Sequence, residues 1–135
     1  MMTVIDIETP AGDALVDITA QARAAVAESG VAAGLCVLIV PHTTAGITIN
    51  SNLDMATPAD LLAEIQRLVP KRVDFAHQYD TPADAAGHIK AALVGQSVTL
   101  AIEAGELLLG GSQSIMFFEF DGPRRRSIQV KIIAG

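Results

Sequence analysis

The ten residues Val31–Val40 (VAAGLCVLIV) are apolar at odd and even positions alike. A strand of that composition has to be covered on both faces, so the run predicts a central strand. Pro41 follows at once. Proline has no N–H to give to a ladder, so a kink or bulge is expected there. Beyond it Ala45, Ile47 and Ile49 alternate with Thr44, Gly46, Thr48 and Asn50, the period of two of a half-buried strand. Read back along the strand, His42, Thr44, Thr48 and Asn50 fall on one face. An imidazole, two hydroxyls and a carboxamide together, with Asn52 and Asp54 just beyond, make either a solvated surface or a ligand site.

The rest of the chain divides at its turn residues. Thr3–Thr9 and Ala14–Ile18 read as strands joined through Pro10-Ala11-Gly12-Asp13 into a hairpin. Thr19 reads as the N-cap of an Ala-rich helix over Ala20–Glu28, stopped by Ser29-Gly30. Thr57-Pro58 opens a second helix to Val69, with Leu61, Leu62, Ile65, Leu68 and Val69 on one stripe. Lys71–Thr81 is a long polar loop that contains His77. A third helix, Pro82–Val94, carries Asp84 and His88 at i and i+4 and ends at Gly95. Gln96–Glu103 and Glu106–Leu109 form a hairpin around Ala104-Gly105. Ser112–Phe120 and Arg124–Ile133 are the last strands, on either side of Asp121-Gly122-Pro123. The order β-β-α-β-β-α-α-β-β-β-β predicts one α+β domain, residues 1–135, on a mixed or mostly antiparallel sheet with three helices.

Apolar residues make up 50% of the chain and charged residues 18%, against ~25% charged in an average domain. Oligomerisation is the simplest outlet for that excess. No apolar run approaches the ~20 residues of a spanning helix, so no membrane partner is expected. A formal charge of −6, with no basic run longer than Arg124-Arg125-Arg126, argues against nucleic acid. The single cysteine, Cys36, reads as a core residue rather than a nucleophile. With no leader pattern at the N-terminus, a cytoplasmic location is expected.

Chemistry can come from few places. His42, His77 and His88 lie on three separate elements and can form a three-imidazole metal site, although no short ligand spacing supports it. Glu119, flanked by Phe117, Phe118 and Phe120, is either a buried acid or base with a raised pKa or the partner of an arginine on the next strand. The arginine run can grip a phosphate or simply end a strand in water. Gly110-Gly111-Ser112-Gln113 can bring backbone amides to an anion, but it matches no phosphate-loop pattern.

At these residues the chain resembles the YjbQ-like family, often labelled secondary thiamine-phosphate synthase. The matching stretches are His42–Asn50 (HTTAGITIN), Asn52, Asp54, His77, His88–Gly95 (HIKAALVG), Gly105–Gly110 (GELLLG), Gln113 and Glu119–Arg126 (EFDGPRRR). The resemblance implies an α+β homotrimer that joins hydroxymethylpyrimidine diphosphate to thiazole phosphate with release of pyrophosphate. It implies a site with His42, Asp54, His88 and Glu119 in catalysis. Thr44, Asn50, Asn52, Gln113, Arg124 and Arg126 would bind a small phosphorylated ligand. His42, His77 and His88 would hold a divalent metal ion, zinc or magnesium. A non-catalytic trimer that binds such a ligand, and a metal-assisted hydrolase, are the alternative readings. Two positions depart from the family pattern: Ser51 stands where members carry Glu, and Gly111-Ser112 where they carry Thr-Trp. The chain has no Trp at all, so an indole that could stack on a heteroaromatic ring for ~1 kcal/mol is missing.

Overall fold

A computed structural model describes residues 2–72, 74–76 and 82–135. The elements are β1 (Met2–Glu8), β2 (Gly12–Asp17), α1 (Thr19–Ser29), β3 (Gly34–Ile39), β4 (Ala45–Ser51) and α2 (Ala56–Leu68). They continue with α3 (Pro82–Val94), β5 (Ser97–Glu103), β6 (Glu106–Leu107), β7 (Gln113–Gly122) and β8 (Arg125–Ala134). The fold class is α+β with three helices, as expected. Every strand pairing among the described residues is antiparallel, and the strands divide into two sheets. The larger runs β1-β8-β3-β5-β6 and the smaller β2-β7-β4.

β3 lies between β8 and β5, the central place that its two apolar faces require. Its inward residues Cys36 and Leu38 meet Ile128, Val130 and Ile132 of β8, Leu100 and Ile102 of β5, and Ile5 of β1. The smaller sheet closes this core with Ala45, Ile47, Ile115 and Phe117, and α1 adds Ala22, Ala25 and Val26. The other face of the smaller sheet presents Phe118 and Phe120, stacked at 5.1 Å. Ala91 and Val94 of α3 and Leu61, Leu62 and Ile65 of α2 pack on that pair.

Several local expectations are corrected. β1 and β2 form no hairpin: β1 pairs with β8 and β2 with β7. Alternation fixes which face of a strand is buried but not which strand lies beside it. His42 and Thr44 precede β4, which begins at Ala45, so the imidazole and Asn50 share no strand face. Thr19 does not cap α1. Its Oγ1 instead accepts the Ile115 N–H at 2.9 Å, and the Thr19 N–H goes to Asp17 Oδ1. α2 starts at Ala56, ahead of Thr57, where Asp54 Oδ1 accepts the Ala56 N–H at 2.9 Å. α2 buries no residue fully, and Leu68 is exposed. β7 and β8 are consecutive, yet they belong to different sheets and meet at the Gly122-Pro123 corner.

At the start of the central strand, a Cβ on Gly34 would lie 1.9 Å from the Ile133 carbonyl oxygen. Backbone on the neighbouring strand cannot yield as a flexible side chain would. Gly34→Ala should therefore lower the stability measured by urea unfolding by about 1–3 kcal/mol, the usual cost of overpacking.

Candidate functional site

The chain leaves the larger sheet after β3 and enters the smaller one at β4, and His42 sits on that crossing. Val40 is tied to the start of β5 by its N–H to the Gln96 carbonyl at 2.7 Å. The last β3–β8 pair is Ile39 with Gln129, so the Ser127 amide lies beyond the end of β3. His42 Nε2 accepts that N–H at 3.0 Å. An Nε2 that accepts a hydrogen bond carries no proton, so the neutral ring is protonated at Nδ1. Burial, and then the nearby charge of Arg126, hold His42 below the usual histidine value.

His42 opens onto a cleft of about 480 Å³ that Val40, Pro41, Ala45, Ala91, Ala92, Gln96 and His88 also line. His88 comes from the middle of α3, with Nε2 3.4 Å from the Asp84 carboxylate one turn earlier. A carboxylate in that place can orient the imidazole. Two of the three histidines thus share one cleft. His77 lies outside the described residues.

Near His42, but not lining the cleft, Glu119 and Arg126 form a buried ion pair. Glu119 is fully buried and Arg126 is 6% exposed. Arg126 Nε donates to Glu119 Oε1 at 2.8 Å and its Nη2 to Oε2. Nη2 also donates to Thr44 Oγ1 at 2.9 Å. Thr9 Oγ1 donates to Glu119 Oε1 at 2.6 Å, and the Asp121 N–H donates to Oε2 at 3.0 Å. Burial acts to raise the Glu119 carboxyl. The hydrogen bonds from Arg126, Thr9 and Asp121, with the arginine's charge, outweigh it and hold the carboxyl below the usual range. Of the two readings of Glu119, the geometry is that of the arginine partner and not of a raised-pKa acid. Arg126 is likewise spent on Glu119 and Thr44 and does not line the cleft. Arg124 donates to the Asp121 side chain and carbonyl.

The remaining site residues expected from sequence lie at the far end of β4. That strand is seven residues long, about 20 Å at ~3.3 Å per residue. There Asn50 Oδ1 accepts the Ser51 N–H, Asn52 Nδ2 donates to Asp17 at 2.8 Å, and Gln113 Oε1 accepts the Gly110 N–H. Asp54, exposed, caps α2. Within one chain these residues do not join His42 and His88. Cys36 is fully buried, and burial pushes its thiol up to about 11, which rules it out as a nucleophile.

A divalent ion bound by imidazoles would be zinc rather than oxygen-seeking magnesium. As arranged, the described histidines His42 and His88 do not fit one. A ring bound to metal through Nδ1 carries its proton on Nε2, where His42 faces the Ser127 N–H. Nε2 itself is taken by that amide. Among the described residues no three His, Cys, Asp or Glu side chains gather in a metal-binding array. The cleft is lined by His42, whose ring is protonated at Nδ1, and by His88, which stands against Asp84. Sequence reasoning missed Thr9, Gln96 and the Ser127 amide, because a lone threonine, a glutamine before a strand and a backbone N–H carry no motif.

Residues 3–135 match the family model described as UPF0047 protein YjbQ-like. A UPF0047 protein of Methanocaldococcus jannaschii is 46% identical over 133 residues, spanning 98% of this chain and 94% of its own. The UPF0047 protein YugU of Bacillus subtilis is 37% identical, spanning 98% and 99%. Among solved structures, a YjbQ-like protein of unknown function from Sulfolobus solfataricus superposes with a TM-score of 0.94 at 30% identity, covering 100% of this chain and 97% of that one. An uncharacterised member from Clostridium acetobutylicum gives 0.89 at 44% identity, covering 97% and 99%.

Removing one partner of the buried fork leaves the other charged and unpaired. Arg126→Met should cost about 3–5 kcal/mol in urea unfolding at neutral pH. The pH dependence should also weaken. In the wild type the lowered Glu119 value supplies stability that is present above about pH 4.5, the unfolded carboxyl value, and is lost as pH falls through the folded value. In the variant only the hydrogen bonds from Thr9 and Asp121 oppose burial, so the folded Glu119 value rises and less stability is lost on acidification.

Proposed function

Because the chain belongs to the UPF0047 YjbQ-like family, we propose that its His42–His88 cleft binds a small phosphorylated ligand by imidazole hydrogen bonds. The observation that carries this reading is the Ser127 amide on His42 Nε2, which commits the ring to presenting an Nδ1–H. A donor pre-set by backbone needs no reorganisation when an anionic oxygen arrives. Since His42 is held neutral, the contact is a hydrogen bond rather than an ion pair. The rim of Val40, Pro41, Ala45, Ala91 and Ala92 gives an apolar wall for the organic part of the ligand.

A second reading follows from His88, whose Asp84 partner makes it a candidate base beside that donor. It is the transfer reaction that the family resemblance implies, with hydroxymethylpyrimidine diphosphate as donor and thiazole phosphate as acceptor. His42 would then hold the leaving pyrophosphate. The withdrawal of Arg124 and Arg126 to Asp121 and Glu119, together with the missing indole, favours binding over turnover.

The assembly we propose is a homotrimer acting in the cytoplasm. Among the described residues no helix is long and apolar enough to cross a membrane. The outward face of the larger sheet carries exposed Met2, Val4, Leu35 and Ile133, with Leu35 directly opposite Ile133. A second copy of the chain would cover that face. Light scattering during gel filtration should give three times the 14.1 kDa of one chain; a monomer mass would refute the assembly.

Titration calorimetry with inorganic pyrophosphate in EDTA should show binding that weakens at least tenfold in His42→Ala and in His88→Ala. Binding that disappears with EDTA and returns with zinc would overturn the hydrogen-bond reading in favour of a metal. Release of pyrophosphate from the pyrimidine diphosphate and thiazole phosphate, abolished by His88→Ala, would establish the transfer reaction.

A further inference from the structure

Helix α3 carries Asp84 and His88, and its seat on the smaller sheet is built from Ala85, Ala86, Gly87 and Ala91, all buried. A Cβ on Gly87 would lie 3.1 Å from the Phe120 carbonyl oxygen and 3.2 Å from the Thr44 side chain. Such a smooth surface lets a helix approach closely, yet it supplies few interlocking side chains to stop the helix sliding or rolling. Val94 adds one branched side chain against Gly46 at the C-terminal end, and Lys90 brings a buried charge to that face. Lys90 is 1% exposed, and its Nζ pairs with the Asp13 carboxylate on β2, which is equally buried. The same Nζ lies 5.6 Å from the centre of the Phe120 ring. Among the described residues Asp13 Oδ1 is buried with no hydrogen-bond partner.

As a source of stability this pair is poorly made. Burying two charges carries a desolvation penalty that their attraction barely repays, and the orphaned oxygen adds to it. Well-packed apolar side chains of similar size would hold α3 down as well or better. What the pair supplies is a single permitted position, because any slide or roll of α3 leaves both charges unpaired out of water. His88 stands two residues before Lys90 on that helix, and Ala91 and Ala92 of the cleft directly follow it. His42 is fixed independently, by the Ser127 amide of β8. The separation of the two imidazoles is therefore set by where α3 stops.

We propose that Lys90, through Asp13, is a positioning residue that registers α3 on the smaller sheet and so sets His88 against His42. The proposal rests on the cleft being the binding site, and it predicts that site geometry and stability come apart when the pair is replaced by apolar residues.

The test compares wild type with Lys90→Met/Asp13→Leu by urea unfolding, by NMR of the histidine rings, and by calorimetry with inorganic pyrophosphate. The double variant should be as stable as wild type or more so. Its His88 ring resonances should shift or broaden and its pyrophosphate affinity should fall at least tenfold, while His42 stays unchanged. A double variant with wild-type His88 resonances and wild-type affinity would overturn the proposal and leave the pair a core contact only. If wild type itself fails to bind pyrophosphate, the binding-site reading fails, and the His88 resonances alone decide the positioning role. Should the double variant not fold, Asp13→Asn keeps the volume and removes one charge. The same His88 change is expected there, and its absence in a folded Asp13→Asn protein would likewise overturn the proposal.

Discussion

The structure hangs on one buried ion pair. Glu119 belongs to the smaller sheet and Arg126 to the larger, and the two-pronged contact between them spans the corner where β7 becomes β8. A buried carboxylate and guanidinium are tolerated only when their remaining hydrogen-bonding groups are also satisfied. Here Thr9, Thr44 and the Asp121 amide do so. Each of those groups comes from a different part of the chain. Thr9 follows the first strand, Thr44 precedes the fourth and Asp121 lies in the seventh, so one polar cluster fixes how both sheets meet.

The cleft is a consequence of that junction. β8 continues from the corner with its Ser127 amide past the end of β3, and His42 on the crossing strand segment completes it. Burial, and then the charge of Arg126, hold His42 below the usual histidine value. α3, laid over Phe120 and Thr44, brings His88 to the same opening. The two imidazoles of the cleft thus come from two elements that the junction of the sheets brings to one opening. The polar residues at the opposite end of β4 belong to separate local turns and caps.

Much of this was legible in the sequence. Val31–Val40 required a central strand and obtained one. The helix over 82–94 followed from its proline start and glycine stop, and an α+β fold with three helices on a mixed or mostly antiparallel sheet followed from the element order, where the structure has two antiparallel sheets. Partners were not legible, because a period of two names a buried face and no neighbour. β1 therefore seemed to pair with β2, when its complement lies at the other end of the chain. The site was half legible. His42 and His88 come together, but HTTAGITIN followed by Asn52 and Asp54 looks like one site only until the length of the strand is counted. The arginines of Arg124–Arg126 looked available to a phosphate. Only the fold shows that Glu119 and Asp121 already hold Arg126 and Arg124.

The central claim is that His42 is a backbone-fixed hydrogen-bond donor. The most direct measurement is the nitrogen chemical shifts of the His42 ring at pH 7, with and without inorganic pyrophosphate. The account predicts a neutral ring protonated at Nδ1, with Nε2 as acceptor, and a change confined to Nδ1 when pyrophosphate is added. A proton on Nε2, or a fully protonated ring at neutral pH, would contradict it.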